Sequence, residues 1–122
     1  MAKDDYSVIL YRLLVYLYAC TKRKIMFEEQ TFREAVKKSA GNDQYFYDIL
    51  KMAQEEGFIR GANFKKTWGQ DKVPLFDENE LEITASGIRY LQENSMMHKI
   101  GEKLKEAVDT IANLATLAGL FE

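Results

Sequence analysis

Helical apolar spacing up to Gly57, strand-like segments between Phe58 and Thr84, and a second helical pattern from Thr84 onward predict a mainly α-helical fold with a small antiparallel β-hairpin. The order of these pieces is that of a winged helix-turn-helix, extended by a long C-terminal helix that packs against the N-terminal one. At 122 residues the chain has room for one such domain, residues 1–95, and an appended amphipathic helix, residues 96–122.

The first helix is predicted from about Asp5 to Cys20. Tyr6, Ile9, Leu10, Leu13, Leu14 and Leu17 line one face, and Val8, Tyr11, Val15 and Tyr18 make much of the opposite face apolar too. A helix that is apolar almost all round is covered on more than one side. Arg12 interrupts the run, which is shorter than the ~20 residues a membrane-spanning helix needs. It follows Lys3-Asp4-Asp5 rather than a basic leader, so neither a span nor a signal peptide is expected.

Ile25 to Phe27 reads as one brief strand. The second helix carries Phe32, Ala35, Val36 and Ala40 at helical spacing, with Thr31 and Glu34 forming a capping box, an alternative first turn at Glu28, and Gly41 as its stop. In the third helix Asn42 or Asp43 caps the start, Phe46, Ile49, Leu50 and Ala53 point inward, and Gly57 reverses the chain. Phe58 to Phe64 follows as a strand. Residues 65–80, with Gly69, the single proline Pro74 and acidic turn residues, read as a loop. "LEIT" then returns as the second strand of the hairpin, and Thr84 caps a helix that turns Ile88 and Leu91 inward. Gly87 in its first turn costs about 1 kcal/mol against alanine and therefore signals close backbone packing.

Two stretches, "NDQYFYDILKMAQEEGFIRG" and "LEITASGIRYLQENS" with Lys99 and the helix beyond, give the chain a resemblance to the YjcQ family over roughly Asn42 to Asn113. That family comprises small winged-helix proteins of Gram-positive bacteria and their phages. The resemblance implies the winged-helix fold and a DNA-binding or regulatory role, and it brings no catalytic residues with it. The Gly-x-x-Tyr-Leu type of signature is more specific for the fold than for a function.

A net charge of −2 and a pI near 5.5 weigh against bulk nonspecific binding to nucleic acid or anionic membranes. The third helix is acidic: Asp43, Asp48, Glu55 and Glu56 outnumber Lys51, a net −3 facing any phosphate backbone. Basic residues flank it instead, with Lys37 and Lys38 on the second helix and Arg60, Lys65, Lys66 and Lys72 before and along the wing, where Trp68 is available for stacking or groove insertion. Double-stranded DNA would thus be met by Gln44, Tyr45, Tyr47 and Lys51 on the third helix, Gln44 and Lys51 nearest the bases, and by those flanking cations. The bland reading of the cations is a solvated surface, and that of Trp68 is packing on its own hairpin. The competing functional reading is a winged-helix module whose acidic third helix and Trp68 face a protein partner.

From Met97 the apolar positions Ile100, Leu104, Ala107, Ile111, Leu114, Ala118 and Phe121 alternate spacings of three and four, a heptad pattern. They are the candidate interface of a homodimer, or of a bundle with the first helix of the same chain. Chemistry-bearing motifs are missing: there is no phosphate loop or metal-ligand spacing, and His98 is the single histidine. Cys20 is the single cysteine, which excludes an intramolecular disulfide, suits a reducing cytoplasm and reads as a buried thiol. Adjacent pairs such as Glu28-Glu29 and Glu55-Glu56 do not converge on one site of a helix. The sequence therefore predicts a cytoplasmic protein without enzymatic activity or cofactor.

Overall fold

The long apolar helix α1, Tyr6–Thr21, is the element on which the others pack. The computed structural model describes residues 6–67, 69 and 71–94. After α1 come α2 (Glu29–Ala35), a 3-10 helix (Lys37–Ala40), α3 (Asp43–Glu55), β1 (Ile59–Arg60), β2 (Phe64–Lys66), β3 (Lys72–Pro74), a 3-10 turn (Glu78–Glu80), β4 (Glu82–Ile83) and α4 (Ala85–Glu93). The fold is mainly α with a small antiparallel β component, arranged as a helix-turn-helix with a wing. The heptad residues Met97 to Phe121 lie outside the described residues.

In α1, Val8, Ile9, Leu10, Tyr11, Leu13, Leu14, Val15, Tyr16, Leu17 and Ala19 are all buried, which explains the apolar character of both its faces. Each such large side chain withdrawn from water contributes about 1.5–3 kcal/mol. α3, α4, β4 and the first 3-10 helix pack on this helix. Arg12, half-buried, donates from Nη1 to the Ala35 carbonyl at 3.4 Å, where the chain leaves the α-helical path. Desolvation lowers the pKa of its guanidinium.

The predicted strand at Ile25–Phe27 is not formed. The in-and-out pattern is real, with Ile25 buried, Met26 exposed and Phe27 half-buried, but among the described residues no strand lies beside it. The hydroxyl of Tyr16 takes the place of a neighbour: Glu28 N–H donates to Tyr16 Oη at 3.2 Å, and Oη donates to the Glu28 carbonyl at 3.3 Å. The ring of Tyr16 meets Phe27 and Phe32 edge to face, at 5.6 and 5.4 Å between centroids.

The predicted Thr31–Glu34 capping box is also replaced. α2 begins at Glu29, so Thr31 lies inside the first turn and its hydroxyl donates back to Glu28 Oε1 at 3.0 Å. The second helix breaks at Val36, where the backbone (φ −122°, ψ −61°) leaves the α path, and resumes as the 3-10 helix that ends at Gly41. In α3 the local signals hold: Asn42 accepts from Tyr45 N–H at 2.8 Å as N-cap. At the other end Gly57 (φ +82°) donates to Gln54 O and Phe58 N–H to Ala53 O, the paired bonds of a Schellman stop.

The wing differs from the single hairpin predicted. β1 pairs with β4 and β2 with β3, both antiparallel, as two separate two-stranded ladders. The Phe58–Phe64 strand divides at Gly61, whose φ of +96° turns the chain close beneath the 3-10 turn; a Cβ there would lie 2.5 Å from Glu80 O. The stretch read as a loop, residues 65–80, supplies most of the second ladder. At the exit, Thr84 accepts from Gly87 N–H at 3.1 Å and donates to the Gly57 carbonyl, tying the start of α4 to the end of α3. The close packing expected at Gly87 is present, since a Cβ would come within 2.4 Å of Phe58 O.

Burial pushes the Tyr16 phenol up to about 12 from its usual value of 10. The folded state thus favours the neutral phenol, and this stabilisation is complete below pH 10 and is lost as pH rises to 12. Tyr16→Phe should cost about 1–3 kcal/mol in urea denaturation at neutral pH, because both bonds to Glu28 disappear while the ring stays. The gap between wild type and variant should shrink across the alkaline window; a gap that stays constant to pH 12 would contradict this role.

Candidate functional site

The outer side of α3 and the wing beside it are where a winged helix meets its ligand. In α3 the core side is set by Phe46, Ile49, Leu50 and Ala53, all fully buried. This leaves Gln44, Asp48, Lys51 and Glu55 on the opposite side, with Tyr47 and Gln54 on one flank and Met52 on the other.

Much of that outer side is engaged by the wing. Leu75 N–H donates to Asn63 O and Thr67 N–H to Asp71 O, which fixes the hydrogen-bonded pairs of the β2–β3 ladder. The alternate pairs, Phe64 with Pro74 and Lys66 with Lys72, therefore point their backbone groups outward. Pro74, which has no N–H to offer, occupies one of these outward positions without costing a ladder bond. At Lys72 both outward groups are taken by one side chain: Lys72 N–H donates to Gln44 Oε1 at 2.8 Å, and Gln44 Nε2 donates to Lys72 O at 3.0 Å. Gln54 repeats the pattern on the link between β1 and β2. Ala62 N–H donates to Gln54 Oε1 at 2.7 Å and Gln54 Nε2 to Ala62 O at 2.8 Å. Each glutamine amide thus pairs with backbone as a neighbouring strand would, at two points about 15 Å apart along the helix.

Charge and ring contacts reinforce the clamp. Lys72 Nζ pairs with Asp48, and its side chain is 14% exposed. Lys37 Nζ lies 3.5 Å from Glu78 Oε2 and 5.5 Å above the Tyr47 ring, with Lys37 14% and Glu78 17% exposed. Tyr47 continues into Phe64 (5.5 Å) and Phe64 into Phe76 (5.4 Å), an aromatic file from α3 across the wing.

The structure accordingly draws Lys37, Gln44, Tyr47 and Lys72 into internal contacts. Tyr45 and Lys51 are half-buried, with Tyr45 against the core. Lys38 is exposed and lies 3.5 Å from Glu34, and Arg60 pairs across the β1–β4 ladder with Glu82 at 3.5 Å. Lys65 is exposed on β2, Lys66 stands opposite Lys72, and Trp68 falls outside the described residues. What remains on the open part of α3 is Asp43, Glu55 and Glu56 against Lys51, beside Met52 at 39% exposure. Sequence reasoning counted Asp48 as one of the acidic charges of the third helix and did not single out Gln54 or Glu78. The available signal was two amides off the core side of α3, Gln44 opposite it and Gln54 on its flank, facing a wing whose strands need backbone partners.

Burial pushes the Cys20 thiol up to about 11, so it stays protonated at neutral pH and is a poor nucleophile. Among the described residues there is no group of three or more His, Cys, Asp or Glu that could hold a metal ion, and no helix long and apolar enough to cross a membrane. A family model described as YjcQ protein matches residues 11–110. No curated protein and no solved structure matches the chain.

Gln44→Ala and Gln54→Ala should each lower stability by about 1–3 kcal/mol, because each leaves a backbone donor and acceptor of the wing without its partner. Gln→Glu at either site keeps the acceptor but turns a carboxylate oxygen toward the backbone carbonyl, so it should destabilise at least as much as alanine. Thermal or urea unfolding checks the order; alanine variants as stable as wild type would show that the amides do not hold the wing.

Proposed function

The chain belongs to the YjcQ family, and from that premise we propose that it is a non-catalytic winged-helix module that binds another protein through the open part of α3. The carrying observation is the fate of the polar residues on this helix. Gln44, the best base reader on it, and the cations Lys37 and Lys72 are spent on internal contacts. The N-terminal part of a recognition helix is where base edges are read, and here that part is crossed by the wing. The remaining face carries three carboxylates against one ammonium, a poor match for a polyanion and a good one for a basic, partly apolar protein surface. Met52 supplies an adaptable apolar contact within it.

A second reading, double-stranded DNA held mainly on its phosphates, draws on the exposed Lys65, on Lys66 and on Trp68 at the wing. In both readings the heptad residues between Met97 and Phe121 support a homodimer, and the single cysteine suits the cytoplasm.

Recovery from the native host should yield a specific protein partner that is lost on Met52→Lys or Glu55→Lys. A random-sequence duplex should show no binding at about 50 mM salt. Duplex binding that weakens steeply with salt and is abolished by changing Lys65 and Lys66 to Glu would overturn the protein reading. Light scattering should give twice the monomer mass at micromolar concentration, and a monomer mass would sink the dimer.

A further inference from the structure

One long edge of β2 faces β3 and the other faces away from it. Asn63 with Leu75 and Thr67 with Asp71 fix the hydrogen-bonded pairs of the ladder, so Phe64 and Lys66 turn their N–H and C=O groups to the outer edge. Two residues earlier, the corresponding groups of Ala62 are taken by Gln54. Those of Phe64 and Lys66 have no partner among the described residues. We infer that this edge receives an extended segment of a partner protein, which adds an antiparallel strand to the wing and sets a carboxylate against Lys65. The inference rests on the protein-interaction reading above and adds to it a second contact surface and a ligand chemistry.

Three observations carry it. The first is the edge itself, a formed strand with a donor and an acceptor free on alternate residues, which is the pattern that strand addition uses. The helix α3 completes this sheet where it reaches it, at Lys72 and Ala62, and the edge at Phe64 and Lys66 is the part it leaves open. The second is charge. Lys37, Lys38, Arg60 and Lys72 each lie beside a carboxylate, whereas Lys65 is exposed and makes no ion pair with a described residue. An added strand bonded to Phe64 and Lys66 places its intervening residue directly opposite Lys65, with Cα atoms about 4.5 Å apart, so a carboxylate there meets the ammonium. The third is the outer face of the wing. Val73 and Leu75, 44% and 61% exposed, lie two residues apart on the face that carries Lys65, so apolar side chains on either side of the carboxylate find apolar surface beyond it. The same lysine disfavours a second copy as occupant, because pairing two β2 edges about Lys65 sets like charges opposite each other.

The test titrates the ¹⁵N-labelled full chain with the capped heptapeptide Thr-Leu-Thr-Glu-Thr-Leu-Thr and with its counterpart carrying Lys in place of Glu. A third peptide keeps Glu but is N-methylated at the two threonines beside it, whose N–H groups would face β2. Amide shifts should concentrate at Phe64–Lys66 with the unmethylated Glu peptide only, and the Phe64 and Lys66 amides should then exchange more slowly with solvent. Lys65→Glu, at an exposed position, should reverse the preference, changing the ratio of the two affinities by about ten-fold. No shift with the Glu peptide, equal shifts with the Lys or the methylated peptide, or an unchanged preference in the variant would overturn the proposal. Shifts confined to the outer side of α3 would overturn the added strand while leaving the protein-interaction reading intact. The wing amides moving with a random-sequence duplex at about 50 mM salt, and not with the peptide, would overturn both. The same amides moving on dilution of the protein alone would make a second copy the occupant, and that too defeats the proposal.

Discussion

Two glutamine side chains on one helix hold the wing in place. Strands of two and three residues cannot maintain themselves as isolated ladders in water, since a lone two-stranded hairpin is marginal at best. Gln44 and Gln54 extend those ladders sideways by presenting amides where a further strand would present peptide groups. The Lys72–Asp48 pair and the Tyr47–Phe64–Phe76 file then pack the same junction. At the far end, Thr84 binds the Gly57 carbonyl and fixes where the chain leaves the wing. The wing is in this way a continuation of α3, and α3 is anchored by its core side to α1.

That arrangement has an electrostatic consequence. A helix that reads DNA keeps its amides and cations free for bases and phosphates. Here one amide at each end of α3 is committed to the protein's own backbone, and the two best-placed cations are matched by carboxylates inside the fold. The surface left open is acidic with a single lysine and a methionine. The same economy applies to Tyr16, whose hydroxyl satisfies both backbone groups of Glu28 where a strand neighbour would otherwise stand.

The parts that were legible in the sequence are those governed by short-range chemistry. Asn42 as a cap, Gly57 as a stop, Thr84 with Gly87 at the start of α4, and the doubly apolar α1 all follow from residues within a turn or two of each other. Where pairing is long-range, local pattern misleads. Ile25–Phe27 has strand alternation, but the backbone partner supplied in this stretch is a tyrosine hydroxyl from α1, and it binds Glu28 just beyond it. Pro74 read as a loop breaker because nothing local reveals that its missing N–H would have pointed out of the ladder. Gln44 was legible as an outward polar residue on α3; only the path of the wing, 28 positions further along the chain, shows that its amide faces Lys72.

The amide clamp is most directly observed through the hydrogen bonds themselves. Scalar couplings across hydrogen bonds, measured on labelled protein, should connect the Lys72 amide nitrogen with the side-chain carbonyl carbon of Gln44, and the Ala62 nitrogen with that of Gln54. Both amides should also exchange slowly with solvent, as protected backbone donors do. Absence of both couplings together with exchange of Lys72 and Ala62 at the rate of exposed amides would contradict the account, because the wing would then stand free of the helix.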